Sequence, residues 1–262
     1  MKYPKRRQSS NVSRETDIEK IGSDARERVA RWLGETTLSL RDGFLERIEK
    51  MAATLALWGA RTNLTAEASD PAEIAFHIID SLAPIAFAEG ADRETLEAAL
   101  AEGASALDLG SGAGFPGLVL AAAFEARFTL AEARRKRASY LQVGAHEMGL
   151  ENAAIEHRRA SARGENIAAG LYHLVTARAF GTSKELYEIA AAALRPGGIL
   201  LLYASADQML DALPGQTPAA PRDDSRAHAM RFAESAAWTY RLPHRKRIVT
   251  RTAVLWRKAS FA

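Results

Sequence analysis

Residues 107–117, Leu-Asp-Leu-Gly-Ser-Gly-Ala-Gly-Phe-Pro-Gly, set an acid and three alternating glycines where an apolar strand gives way to a helix. Ala106, Leu107 and Leu109 read as the end of a buried strand, and the run from Pro116 through Leu118, Val119 and Leu120 to Phe124 reads as the helix after it. Gly110, Gly112 and Gly114 allow a sharp turn and let a ligand approach the main chain closely, which side chains would prevent. Such a loop belongs to a doubly wound α/β sheet, where it holds an adenosine cofactor at the carboxyl end of the first strand.

NAD, FAD and S-adenosylmethionine all use this element, so finer details must separate them. A dinucleotide fingerprint needs its third glycine one position later, where Phe115 stands. Asp108 precedes the first glycine by two residues, and a carboxylate there suits an ammonium and a sulfonium but repels a diphosphate. Glu132 ends the next strand, Phe128-Thr129-Leu130-Ala131, at the separation where a carboxylate accepts hydrogen bonds from ribose hydroxyls. These features select S-adenosylmethionine.

The rest of the chain supports one core around that loop. Residues 1 to about 22 are polar and basic, with Lys2, Lys5, Arg6, Arg7 and Arg14, and are expected to be disordered. Residues 23–103 form an expected helical extension. In it Leu40, Phe44, Ile48, Met51, Leu55 and Trp58 recur at helical spacing, and Asp70-Pro71 with Glu73 reads as an N-cap, first-turn proline and capping-box acid. A third helix is expected near 92–101. From 104 to 262 the expected domain alternates strands near 105–109, 127–131, 153–157, 172–177 and 198–203 with helices near 115–125, 134–148 and 183–194. Leu194-Arg195-Pro196-Gly197-Gly198 reads as a turn and residues 214–225 as a loop. Segments near 228–233, 237–242 and 248–256 are expected to complete the sheet antiparallel.

Composition excludes several chemistries. The chain has no cysteine, which removes thiolate zinc sites and any covalent cysteine adduct in methyl transfer to a pyrimidine carbon; no metal is expected. No apolar run reaches transmembrane length. The net charge is only +3, but a second basic cluster, Arg241, Arg245, Lys246, Arg247, Arg251, Arg257 and Lys258, crowds the end as a candidate phosphate contact.

Four stretches together resemble a known family: Trp58 with Asn63-Leu64-Thr65; His77-Ile78-Ile79-Asp80-Ser81-Leu82; Leu107 to Gly117 with its Phe-Pro-Gly ending; and Lys136-Arg137 with Tyr140-Leu141, followed by Thr176-Ala177-Arg178-Ala179. From Trp58 to about Tyr203 the chain is similar to the bacterial small-subunit ribosomal RNA methyltransferase G family, also called glucose-inhibited division protein B. That resemblance implies a class I S-adenosylmethionine-dependent methyltransferase with its last strand antiparallel. It implies methylation of N7 of one guanosine in 16S rRNA, with 16S rRNA or the 30S subunit as partner, in the cytoplasm, by a monomer. It also implies cofactor contacts from Gly110, Phe115, Ala160, Ser161 and Arg178, with Glu132 holding the ribose.

Guanine N7 carries a lone pair and no proton, so its methylation needs positioning rather than a base. Arg178 is therefore expected either to orient guanine O6 or to contact the cofactor carboxylate. His77 is the other catalytic candidate, although its place among Ile78 and Ile79 fits a structural histidine. Two departures from the family pattern stand out: Phe76 replaces a basic residue before the histidine, and Ala204-Ser205 replaces a lysine and glycine at the end of the fifth strand. Both remove positive charge from the expected RNA-facing rim, which leaves open a divergent target or a non-catalytic RNA-binding relative. A small-molecule methyltransferase would share the cofactor residues without needing basic termini. A dehydrogenase is disfavoured because Gly144 occupies the lysine position of a Tyr-x-x-x-Lys pair at Tyr140, and no Asn/Asp-Pro-Pro-Tyr element for adenine amino methylation occurs.

Overall fold

A computed structural model describes residues 9–59, 62, 64–160, 169–178, 183–204 and 232–259. Short apolar runs between turn residues become the strands β1 (Ser105–Leu109), β2 (Arg127–Glu132), β3 (Ala153–His157), β4 (Tyr172–Arg178), β5 (Leu194–Ala204), β6 (Phe232–His244) and β7 (Arg247–Lys258). They form one seven-stranded sheet in the order β3-β2-β1-β4-β5-β7-β6. The first five run parallel, and β7 is antiparallel to both β5 and β6. The order in which successive strands are added reverses between β1 and β4, and a doubly wound sheet binds its ligand at that switch point.

The helices sort by sheet face. α1 (Ser9–Leu33), α2 (Phe44–Gly59), α3 (Pro71–Ala86), α4 (Gly90–Leu100), α5 (Gly117–Ala123) and α6 (Arg135–Glu147) share one apolar cluster with Ala106, Phe128, Leu174, Leu201 and Leu255. α7 (Ser183–Ala193) covers the other face through Leu186, Ile189 and Ala190, which cluster with Leu107, Val175 and Leu200. Alternation of side chains along β1 thus sends Leu107 and Leu109 to one layer and Ala106 to the other.

Several local expectations change. Helix α1 starts at Ser9, well inside the segment expected to lack structure, because Ala25, Val29 and Trp32 bury an apolar stripe on the core. Leu40 precedes α2 and packs from the linker, where Arg41 N–H donates to Ala123 O. Asp70 does cap α3, accepting from Ala72 N–H at 2.8 Å, but Asp70 N–H donates to Glu67 O, so Glu73 closes no capping box and turns instead to His244. The Leu194–Gly198 segment is absorbed into β5 as an irregularity opposite Tyr172–Leu174, with Gly197 at φ 73°. The last two expected strand segments form β6 and β7; the earliest, near 228–233, lies mostly outside the described residues, as does the 214–225 loop.

No single helix among the described residues is long and apolar enough to cross a membrane.

Candidate cofactor and substrate site

The glycine loop is fixed by its neighbour strand before any ligand arrives. Gly110 N–H and Ser111 N–H both donate to Ala131 O of β2, at 2.9 and 3.2 Å. Gly114 N–H donates to Ser111 O at 2.7 Å, and Leu118 N–H to Gly114 O at 2.9 Å, so the first turn of α5 grows out of the loop. Gly110, Gly112 and Gly114 have φ of 71°, 54° and 88°, the left-handed region that side chains disfavour. A Cβ on Gly114 would lie 2.6 Å from Leu118 Cδ1, whereas one on Gly112 meets nothing nearer than 3.6 Å. Gly112 is therefore the open face of the loop.

Glu132 is buried at the end of β2 and clamps this loop. Its Oε2 accepts from Gly112 N–H at 2.9 Å and its Oε1 from Arg134 N–H at 2.7 Å. Each oxygen keeps a second lone pair, so the residue expected to hold a ribose remains able to accept from it.

Asp108 stands elsewhere than expected. Its side chain is buried behind the loop, with Oδ1 accepting from Thr176 Oγ at 2.7 Å and Oδ2 without a hydrogen-bond partner. Gly117 lets α5 start directly against it, since a Cβ there would lie 2.5 Å from Oδ2. Burial pushes the Asp108 carboxyl up from its usual range, opposed by the Ser111 and Thr176 hydroxyls, the Gly117 backbone and Arg178. It therefore supports the loop from behind rather than by direct contact with a ligand.

A second group of side chains converges from α3, β4, β5, β6 and β7. Asp80 of α3 is buried, and its Oδ2 lies 3.4 Å from Arg178 Nη1 and 3.6 Å from Arg251 Nε. Its Oδ1 accepts from the Tyr240 hydroxyl at 3.2 Å. Tyr203 donates to Ser81 O at 2.7 Å, tying the end of β5 to the same helix. Burial raises both tyrosine hydroxyls far above their ordinary value, so both stay protonated donors. Arg178 lies with its guanidinium 5.4 Å from the Phe115 ring centre. Burial lowers its pKa from the ordinary arginine range, opposed first by Asp80, and it remains a cation.

His77 packs its ring 5.2 Å from Phe115. Burial, followed by the charges of Arg178, Arg251 and His244, lowers its pKa to about 3, so the ring is neutral. Nε2 is 3.5 Å from Glu73 and Nδ1 is buried with no hydrogen-bond partner.

The structure thus brings Asp108, Gly110, Gly112, Gly114 and Glu132 to one edge of the sheet, and His77 and Arg178 onto Phe115 beside them. Ala160 is buried in one cluster with Ala131 and Ala177, at the ends of β2 and β4; Ser161, Asn63 and Ser205 lie outside the described residues. Sequence reasoning missed Thr176 as the Asp108 partner and Tyr140, whose hydroxyl donates to Ala113 O at 3.3 Å. Parallel pairing of Asp108 with Thr176 offered a signal for the first; no spacing pointed to the second. A pocket lined by Leu38, Arg41, Ile85, Leu100 and Phe124 lies at the amino ends of the strands, away from this chemistry.

Comparison with known proteins gives a consistent picture. A family model described as rRNA small subunit methyltransferase G matches residues 45–219. Ribosomal RNA small subunit methyltransferase G of Wolinella succinogenes is 34% identical over 163 residues, covering 62% of this chain and 76% of its own length. The protein of the same name from Streptococcus pyogenes is 36% identical over 186 residues, covering 69% of this chain and 74% of its own. Among solved structures, a SAM-dependent O-methyltransferase of Thermotoga maritima is similar at 15% identity and TM-score 0.46, over 71% of this chain and 72% of its own.

Proposed function

The chain belongs to the rRNA small subunit methyltransferase G family, and from that premise and its site we infer that it transfers the methyl group of S-adenosylmethionine to N7 of a guanosine in 16S rRNA, within or outside the 30S subunit. The observation that carries the cofactor reading is the loop itself. Gly112 is an open cradle and Glu132 has acceptor capacity beside it for the ribose hydroxyls of an adenosine ligand, while Asp108 is buried behind the loop. When bound, S-adenosylmethionine supplies an electrophilic methyl on a sulfonium.

The residues of the chain then have positioning work. Gly110 and Gly112 present main chain to the ligand, and Glu132 accepts from the ribose. Phe115 covers the loop on the side of His77 and Arg178, where it excludes water. Arg178, held between Asp80 and Phe115, donates to guanine O6 or to the cofactor carboxylate. No proton leaves N7, so the neutral, weakly basic His77 is not required as a base; it fills the wall beside Phe115. An RNA rather than a small substrate is supported by exposed Arg134, Arg135 and Lys136 beside the loop. The last two open α6, whose first turn has no acid, at the helix end that favours anions.

Transfer of labelled methyl groups to 30S subunits and to naked 16S rRNA from a strain lacking the family enzyme, with mapping of the product, tests the reading. Label is expected on guanine N7; label on adenine or cytosine overturns it. Arg178→Ala is expected to lower kcat by roughly the 10–100-fold of one misplaced orienting group while RNA affinity changes less. Unchanged kcat would remove Arg178 from the site.

A further inference from the structure

Phe76, a position expected to carry positive charge on the RNA-facing rim, is covered by a cation from β7, whereas Ala204 faces the opposite layer with α7. The Arg251 guanidinium lies 5.4 Å from the Phe76 ring centre. Thr252, the next residue in β7, is the register partner of Ala204 in β5. Arg251 therefore reaches the carboxyl edge of the sheet from the antiparallel strand, over the site on α3 where charge is missing.

Its surroundings leave that charge incompletely neutralised. Among the described residues, the acid facing Arg251 is Asp80, through the same Oδ2 that Arg178 approaches. One carboxylate thus serves two guanidinium groups. The other nearby groups are spoken for: His77 is neutral, His244 is bonded to Glu73, and Arg245 is paired with Glu67 and Asp70. The Arg251 side chain is 31% exposed, against 4% for Asp80, so it stays open to an anion arriving from solvent.

We propose that Arg251 binds a backbone phosphate of the RNA substrate next to the target nucleotide, resting on the rRNA methyltransferase reading above. Sheet order separates β7 from β1 by β5 and β4, three strand spacings or about 14 Å, which places this strand on the substrate side of Arg178 rather than over the glycine loop. Stacking on Phe76 and the ion pair with Asp80 fix the direction of the guanidinium, and its planar fork matches phosphate oxygens. Arg251 then supplies from β7 the positive charge that α3 lacks at Phe76.

The test uses the full chain, 30S subunits from a strain lacking the family enzyme, and salt titration. Arg251→Gln is expected to raise KM for the subunit about tenfold, as loss of one charge-assisted contact does. It should also flatten the dependence of log affinity on log salt by about 0.7–0.9, the share of one phosphate. S-adenosylmethionine affinity, read by calorimetry, should stay near the wild-type value, and Arg251→Lys should keep the wild-type salt slope. Adding Phe76→Lys to Arg251→Gln is expected to recover the slope by returning a cation from α3. A purely structural Arg251 predicts the wild-type salt slope in Arg251→Gln and no rescue, and that result overturns the proposal. Weakened cofactor binding with unchanged KM would assign Arg251 to the cofactor carboxylate and overturn it too. If the wild-type enzyme places no methyl on rRNA, the functional reading fails first.

Discussion

The glycine-loop edge and the wall of α3, β4 and β7 meet at Phe115, yet they are built by opposite means. The loop edge is held by main chain: Gly110, Ser111 and Gly114 N–H groups are satisfied within a few residues or by the adjoining strand, and Glu132 bonds two further amides. The wall is held by side chains brought from far apart in sequence, with Asp80 gathering Arg178, Tyr240 and Arg251. Backbone geometry tolerates few residue types and recognises what every user of the cofactor shares. Side-chain geometry can be rebuilt from another strand, and it faces the part of the reaction that distinguishes one substrate from another.

The sharpest way to break this contrast is to alter one half and leave the other. Gly114→Val places a branched side chain at φ 88° against Leu118, combining about 1–3 kcal/mol of backbone strain with about 1–3 kcal/mol of overpacking. Loss of measurable S-adenosylmethionine binding in calorimetry is expected, with a lowered midpoint in denaturant. Retained binding would show that the loop is not the cofactor cradle. Next in size is Asp80→Asn, which keeps the volume and removes the shared charge. Because Arg178 and Arg251 are 22% and 31% exposed, the expected destabilisation is about 2 kcal/mol, below the 3–5 kcal/mol of a fully buried pair. Cofactor affinity should fall far less than in Gly114→Val. Equal losses in the two variants would mean that loop and wall act as one unit.

The same division explains what was legible in the sequence. Asp108, the three glycines and Glu132 were readable because their spacing along one chain segment sets their geometry, and the strand and helix alternation from residue 105 onward followed from local patterns. The orientation of Asp108 was not readable, since it depends on α5 starting at Gly117 directly above it. Glu73 was misread because its local role as a capping acid lost to His244, 171 residues away. Arg251 looked like one of many basic residues near the end, and only the pairing of β7 with β5 brings it to Phe76 and Asp80. Helix α1 was missed for a related reason: its apolar stripe is thin, and tertiary packing rather than propensity stabilises it.

The smallest expected effect concerns His77, the point where the wall touches the loop. Its folded pKa of about 3 lies below the unfolded value near 6.5, so between these values the unfolded chain binds a proton that the folded chain refuses. The sign follows: this contribution is fully present above pH 6.5 and is lost as pH falls from 6.5 toward 3. Over pH 7 to 5 the loss attributable to this one group is at most about 2 kcal/mol. Denaturant unfolding at the two pH values should therefore show a larger drop for wild type than for His77→Gln, which has nothing to titrate. Identical drops would mean that the ring is protonated in the fold and that Phe115 faces a cation there. Turnover should show no ionisation step belonging to His77 between pH 5 and 8, the range in which an ordinary histidine base would titrate. Such a step would restore a proton-transfer role that N7 methylation does not need, and would move the catalytic centre from Arg178 toward α3.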